Sequence, residues 1–209
     1  MMKLYYAPGA CSLSPHIVAR ELGLPVQLQK VNNKEKTLEG GGDYLQVNGK
    51  GYVPALELDN GEVLTEGPAI VQYLADRKPE SGLAPKAGSL ERYRVQEWLN
   101  FVTSEIHKQF SPLFRPNTPE EYKTICKENL AKRFAWIDRQ LAGKDYLTGK
   151  GFTVADAYLF TVLRWTVPMK IDLSPWPNLA AYLQRVGKRP KVKEAMQEEG
   201  LLPKEPQAA

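Results

Sequence analysis

Cys11 stands in the run Gly9-Ala10-Cys11-Ser12-Leu13-Ser14-Pro15, where an apolar strand pattern hands over to a helical one. A thiol at such a junction lies near the positive end of a helix dipole with unpaired N–H groups close by, a setting that lowers its pKa and favours the thiolate. Gly9 lets the backbone come close to a ligand. The same residues leave a plainer role equally open, since a lone cysteine commonly packs as a small buried hydrophobe. Cys126 falls inside an apolar helical stripe, and there the packing role is expected.

Two backbone features could serve a peptide-like ligand. Val53-Pro54 opens an apolar run, and a proline at the head of a central strand points to a cis bond. The Val53 N–H and C=O would then face outward, ready to pair with an extended peptide as an added strand; a plain edge-strand proline is the alternative. Glu66-Gly67 precedes Pro68 at a helix start, so free amides there could hold a carboxylate while the Glu66 side chain meets an ammonium group. Complementing the helix dipole is the commoner duty of such a glutamate. Further along, Asn100, Ser104 and His107 follow i, i+4, i+7 with Lys108 adjacent, a polar line for which a solvated helix face is the simpler account. His16, beside Pro15, is read as structural or exposed.

The elements that must carry these residues divide into two kinds. Lys3 to Tyr6 reads as a strand stopped by Pro8-Gly9, Pro15 suits the first turn of a helix ending at Gly23, and Val26 to Val31 is a second strand. A Gly-rich segment, Glu39 to Asp43, is expected to be a loop beside a short helix. Asp59-Asn60-Gly61 between Val53–Leu58 and Glu62–Thr65 signals a hairpin, because the turn needs positive φ. A helix follows from Gly67 and stops before Pro79. The order β-α-β then β-β-α predicts a small mixed sheet with helices on its faces. After a stretch dense in Pro, Gly and Ser, the pattern is helical: Val95, Leu99, Val102 and Ile106 form one stripe, and Cys126, Leu130, Phe134, Ile137 and Leu141 another. Thr153-Val154-Ala155-Asp156 has the form of a capping box opening an almost wholly apolar helix. The boundaries predicted are residues 1–80, a linker at 81–89, and an all-helical domain at 90–209.

Composition narrows the function. A chain of 209 residues with 43% hydrophobic and 25% charged residues can bury a real core. No stretch approaches the roughly 20 apolar residues of a membrane span. The start lacks the basic-then-apolar form of a secretory signal, so neither membrane nor export is expected and a cytoplasmic location is. The net charge of +4, with both signs interspersed, argues against a nucleic-acid partner and suits a small anionic ligand. Two distant cysteines and two histidines do not suggest a metal site.

The series strand, Pro-Gly-Ala-Cys-Ser, helix, Val-Pro-Ala-Leu, then Leu-Thr-Glu-Gly-Pro-Ala-Ile-Val-Gln-Tyr-Leu resembles the glutathione transferase family. Trp98-Leu99-Asn100, Glu105-Ile106-His107-Lys108, Pro112-Leu113-Phe114-Arg115-Pro116 and Phe152 to Tyr158 extend the match across nearly the whole chain. Together they resemble the bacterial beta class, in which a cysteine takes the place held by Tyr or Ser elsewhere. The resemblance implies a thioredoxin-like N-terminal domain with a mixed four-stranded sheet, a helical C-terminal domain, a homodimer, and glutathione near the domain interface. By position, Cys11 would face the glutathione sulfur, and Val53 would pair with its cysteinyl backbone before a cis Pro54. Glu66 and Gly67 would hold the γ-glutamyl end, whose two charges sit on one carbon, and Lys36 would reach the glycyl carboxylate. Asn100, Ser104, Glu105, Ile106, His107 and Lys108 would contribute from the helical domain, with His107 catalytic beside Cys11 and Lys108 near the sulfur. Tyr6 and Ser12 are reserves for stabilising the thiolate. Two departures stand out. Gly67 replaces the usual Ser or Thr, leaving only its amide, and Gly49 replaces a usual Pro, which would loosen the loop into Val53-Pro54.

The activity so implied is conjugation of glutathione to small hydrophobic electrophiles, their pocket expected between Tyr6, Phe110 to Phe114 and Trp165. Cys11 is also a nucleophile, so a mixed disulfide supporting thiol–disulfide exchange or reductive dehalogenation is the rival. A non-catalytic binding or assembly module is a third reading.

Overall fold

The computed structural model describes residues 1–203. They form two compact units, Met1–Ser81 together with the chain from Lys188 onward, and Gly82–Gly187.

In the first unit the central strand is β1 (Lys3–Tyr6), parallel to β2 (Gln27–Asn32) and antiparallel to β4 (Ala55–Glu57), which pairs antiparallel with β5 (Val63–Thr65). A fifth strand absent from the sequence reading, β3 (Thr37–Leu38), lies antiparallel on β2, giving the order β3-β2-β1-β4-β5. Two residues are too few for a visible alternation. The strand is closed by the Gly-rich segment, where Gly40, Gly41 and Gly42 take φ of 91°, 104° and 109° and Leu38 exchanges backbone bonds with Gly41 and Gly42. The expected hairpin closes at Gly61, φ 86°. α1 (Leu13–Glu21) and α2 (Gly67–Asp76) pack together, burying Ile17, Val18, Ile70, Val71 and Leu74. A separate cluster joins Tyr5, Ala7, Val31, Val53 and Ala55 to Tyr44, from the single turn Tyr44–Gln46.

The last helix, α8 (Pro190–Glu198), corrects the expected boundary, because it belongs to the first unit rather than to the helical one. It buries Val192, Ala195 and Met196 and lies along α1, where the Arg189 guanidinium grips the Glu21 carboxylate at 2.7 and 2.9 Å.

In the second unit α3 (Leu90–Phe101) starts at Ser89, whose hydroxyl accepts from the Arg92 N–H. The helix does not run on regularly. Residues Val102–His107 form a π-turn before α4 (Lys108–Phe110), with the Lys108 N–H reaching the Thr103 carbonyl. Within the turn the Thr103 and Ser104 hydroxyls bond the carbonyls of Leu99 and Asn100 at 2.8 and 3.1 Å. α5 (Glu120–Leu141) turns its predicted stripe, Cys126 included, into the core. α6 (Val154–Leu163) is buried along its whole length, and α7 (Pro177–Gly187) packs on α5 and α6. The capping box is present: Asp156 accepts from the Thr153 N–H at 2.8 Å and from the Leu147 N–H at 2.9 Å.

Candidate functional site

Because β4 runs antiparallel to β1 and β5 antiparallel to β4, the end of β1, the end of β2, the start of β4 and the end of β5 lie at one end of the sheet. The loops there carry Cys11, Lys36, Val53-Pro54 and Glu66-Gly67.

The Cys11 loop is fastened from both sides. Ser12, fully buried, donates to the Ala7 carbonyl at 3.2 Å and accepts from the Ala7 N–H at 3.1 Å, tying β1 to α1. Its hydroxyl is thus committed to the backbone, which removes it from the reserve candidates for the sulfur. Gly9, at φ 70°, donates its N–H to Glu199 at 2.9 Å. A β-carbon there would press on Leu201 at 3.3 Å. Cys11 is half-buried and donates its S–H to the Val53 carbonyl at 3.2 Å.

The charge state of Cys11 departs from the sequence reading. Burial pushes the thiol up to about 12; the amides of Cys11 and Ser12 pull the other way, and the carboxylates of Glu66 and Glu199 add to the rise. The helix start supplies the expected donors, but desolvation outweighs them, and Cys11 is a neutral thiol able to donate. Tyr6 is buried with its ring 6.2 Å from His16, and burial, followed by Glu199, Glu39 and Glu198, raises its phenol pKa.

The Val53-Pro54 peptide is cis. Among the described residues the Val53 N–H has no hydrogen-bond partner, while its carbonyl is already in use by Cys11. Lys36, at φ 58°, donates to the Gly51 carbonyl at 2.8 Å and stands 5.9 Å from the Tyr52 ring. Asn48 holds this loop, donating to the Tyr52 carbonyl at 2.8 Å and accepting from the Lys50 N–H at 3.1 Å. Glu66 sits at φ 71°, ψ 116°, an unfavourable conformation for a residue with a side chain, and its exposed carboxylate meets Lys50 at 2.7 Å. Gly67 opens α2 with its N–H unpaired among the described residues. A β-carbon at Gly67 would lie 3.9 Å from Pro54, an ordinary contact, so space does not demand glycine here.

In the second unit the expected polar line divides. Asn100, Ser104 and Lys108 are exposed, whereas the π-turn brings His107 inward to Tyr158, with Nδ1 2.6 Å from the phenol oxygen. Its ring meets Trp165 edge-on at 4.9 Å. Burial, with Lys108 adding, pushes its pKa down to about 4, so the imidazole is neutral. Glu105 is committed to Arg133 at 2.7 Å. The Ile106 side chain is fully buried, so only its backbone could reach a ligand. Phe110 and Phe114 stand 5.7 and 5.4 Å from Trp165, an aromatic group beside His107.

Three participants were not foreseen: Lys50 on Glu66, Glu199 on Gly9, and Tyr158 on His107. Glu199 and Tyr158 are 190 and 51 residues from their partners, and no local pattern announces such pairs. Among the described residues no group of His, Cys, Asp and Glu could hold a metal ion, and no helix is long and apolar enough to cross a membrane.

Comparison with known proteins places these features in a lineage. Residues 9–77 match the family "Glutathione S-transferase, N-terminal domain" and residues 101–190 match "Glutathione S-transferase, C-terminal domain". The chain is 50% identical over 200 residues to the glutathione S-transferase GstA of Escherichia coli O157:H7, covering 96% of this chain and 100% of that protein. A sphingomonad glutathione S-transferase solved in complex with glutathione superposes with a TM-score of 0.92 at 48% identity, covering 96% of this chain and 100% of its own. A beta-class enzyme from Sphingomonas chungbukensis gives 0.93 at 46% identity, with the same coverage.

Proposed function

Because the chain belongs to the glutathione S-transferase family, we propose that its first unit binds glutathione at the end of the sheet bearing Cys11, Val53 and Glu66. The protein is a glutathione transferase with glutathione as its co-substrate. The observation that carries the assignment of the site is the Cys11 thiol 3.2 Å from the carbonyl of a residue whose peptide to Pro54 is cis and whose N–H is unpaired among the described residues. An extended cysteinyl backbone would pair there as an added strand, setting its sulfur beside Cys11. The γ-glutamyl carboxylate takes the amides at the start of α2, and its ammonium group takes Glu66. Lys36 turns from Gly51 to the glycyl carboxylate. In the second unit, Asn100, Ser104, His107 and Lys108 are the residues proposed for glutathione.

In this reading Cys11 acts as a neutral donor. Its S–H shifts from the Val53 carbonyl to the glutathione sulfur and stabilises the thiolate left when the glutathione thiol gives its proton to solvent; that thiolate attacks the electrophile, forming the C–S bond as the leaving group departs with its bonding electron pair. The raised pKa of Cys11 favours this over a mixed disulfide, for which Cys11 would need to be the attacking thiolate. Of the aromatic group beside His107, Phe114 is the exposed ring, 5.4 Å from Trp165, and it is the one that would meet small hydrophobic electrophiles, whereas Phe110 is fully buried. We also propose a cytoplasmic homodimer. In its support, the second unit has a groove of about 860 Å³ floored by Trp98, Phe101 and Trp136, aromatic surface of the kind that partners cover.

The test is Cys11→Ala assayed in parallel for conjugation of glutathione to 1-chloro-2,4-dinitrobenzene and for thiol–disulfide exchange. The expected result is a loss of conjugation of about tenfold or more, as for one donor on a developing charge. Conjugation that persists while exchange vanishes would assign Cys11 to redox chemistry instead.

A further inference from the structure

We propose that Tyr158 is a positioning residue that fixes the tautomer of His107, keeping the ring proton on Nε2 so that this nitrogen presents an N–H donor. The chemical use of that donor rests on the reading that His107 serves the glutathione sulfur.

The geometry lies within the second unit. Tyr158 is buried on α6, two residues past Asp156 of the capping box, so its phenol is carried by a firmly anchored helix. The π-turn sets His107 with Nδ1 2.6 Å from the Tyr158 oxygen. The ring meets Trp165 edge-on at 4.9 Å and Tyr158 itself at 5.9 Å. Burial keeps the imidazole neutral, so it bears one N–H. In a neutral phenol–imidazole pair the phenol is the stronger acid and the imine nitrogen the stronger base. The bond therefore runs from the Tyr158 O–H to Nδ1, and the proton stays on Nε2. Nε2 has no hydrogen-bond partner among the described residues. The basic nitrogen is consumed and the donor nitrogen is left open. His107 is thereby suited to stabilise a thiolate by donation and unsuited to take a proton from a thiol.

The chain has only two histidines, so the protein labelled with 15N-histidine gives two ring spin systems, and His107→Asn identifies the one belonging to His107. The expected spectrum at neutral pH shows His107 protonated on Nε2. In Tyr158→Phe, which keeps the ring but not the hydroxyl, a population protonated on Nδ1 should emerge. kcat for conjugation should then fall about two- to tenfold, the size of one lost ordering hydrogen bond, with the KM for glutathione nearly unchanged. A merely structural loss would not move the tautomer, and the wild-type spectrum decides even if the variant fails to fold. Wild-type His107 protonated on Nδ1, or Tyr158→Phe with unaltered tautomer and kcat, would overturn the proposal. A wild type protonated on Nε2 that nevertheless fails to conjugate glutathione upholds the tautomer assignment and rejects the function on which its use rests.

Discussion

At the head of α1 the Cys11 thiol is bounded by the Val53 carbonyl on one side and the carboxylates of Glu66 and Glu199 farther off. These surroundings favour a proton on sulfur, and they give a direct expectation for the glutathione-free protein. Alkylation of Cys11 by iodoacetamide, followed on its peptide by mass spectrometry, should be slow at pH 7 and should keep rising with pH well above 9, because the thiol is pushed up to about 12. A rate that levels off near neutrality would show a thiolate and remove the donor role. The location of this residue was legible in sequence, since strand, glycine, cysteine and helix are contiguous. Its charge state was not, because the dipole argument counts nearby donors and omits both the burial and a carboxylate supplied from 188 positions away, Glu199.

Among the elements, α6 and the π-turn do most to position the helical residues. The Asp156 carboxylate accepts from the N–H groups of Thr153 and Leu147, from the Thr153 hydroxyl at 2.9 Å and from the Tyr182 hydroxyl at 3.1 Å. Replacing it with alanine leaves buried donors unmatched at the start of the central helix and should cost about 2–4 kcal/mol, read as a lowered Tm. The capping box was visible from four adjacent residues, whereas its partners Leu147 and Tyr182 were not. The π-turn was hidden because an apolar stripe at Val95, Leu99, Val102 and Ile106 fits a regular helix as well. The back-bonding of Thr103 and Ser104 does not announce it either, since Thr124 and Thr161 make the same bond within regular helices; the π-turn brings His107 inward against Tyr158. That burial has a pH signature. The folded His107 resists protonation until about pH 4, while the unfolded residue binds a proton near its ordinary value of about 6.5. The unfolded chain therefore holds more protons between these values, and the stability contributed is full above pH 6.5 and lost as pH falls toward 4. Urea unfolding at pH 7 and pH 5 should show a loss in the wild type that is smaller in His107→Gln; equal losses would contradict the buried neutral ring.

For the whole molecule, the chain closes on itself at its first unit. α8 returns to α1, and the fully buried His16 lies between Glu199 at 2.9 Å and Glu198 at 2.7 Å, the same Glu199 that holds Gly9 beside Cys11. The two-part organisation was legible from the change in periodicity near residue 80, but the return of α8 was not, since an amphipathic helix does not say which surface it will cover. On the surface of the second unit, the groove lined by Trp98, Phe101 and Trp136 is the face proposed to meet a second copy. Trp98→Glu should yield monomers by sedimentation velocity where the wild type sediments as a dimer, and a monomeric wild type would contradict the assembly. The account as a whole rests on glutathione binding at the end of the sheet, and calorimetric titration of glutathione into the wild type and Glu66→Gln tests this most directly. The prediction is one glutathione bound per chain, with affinity about tenfold or more weaker in the variant, as for a lost charge-assisted bond. No binding, or equal affinity in the two proteins, would contradict it.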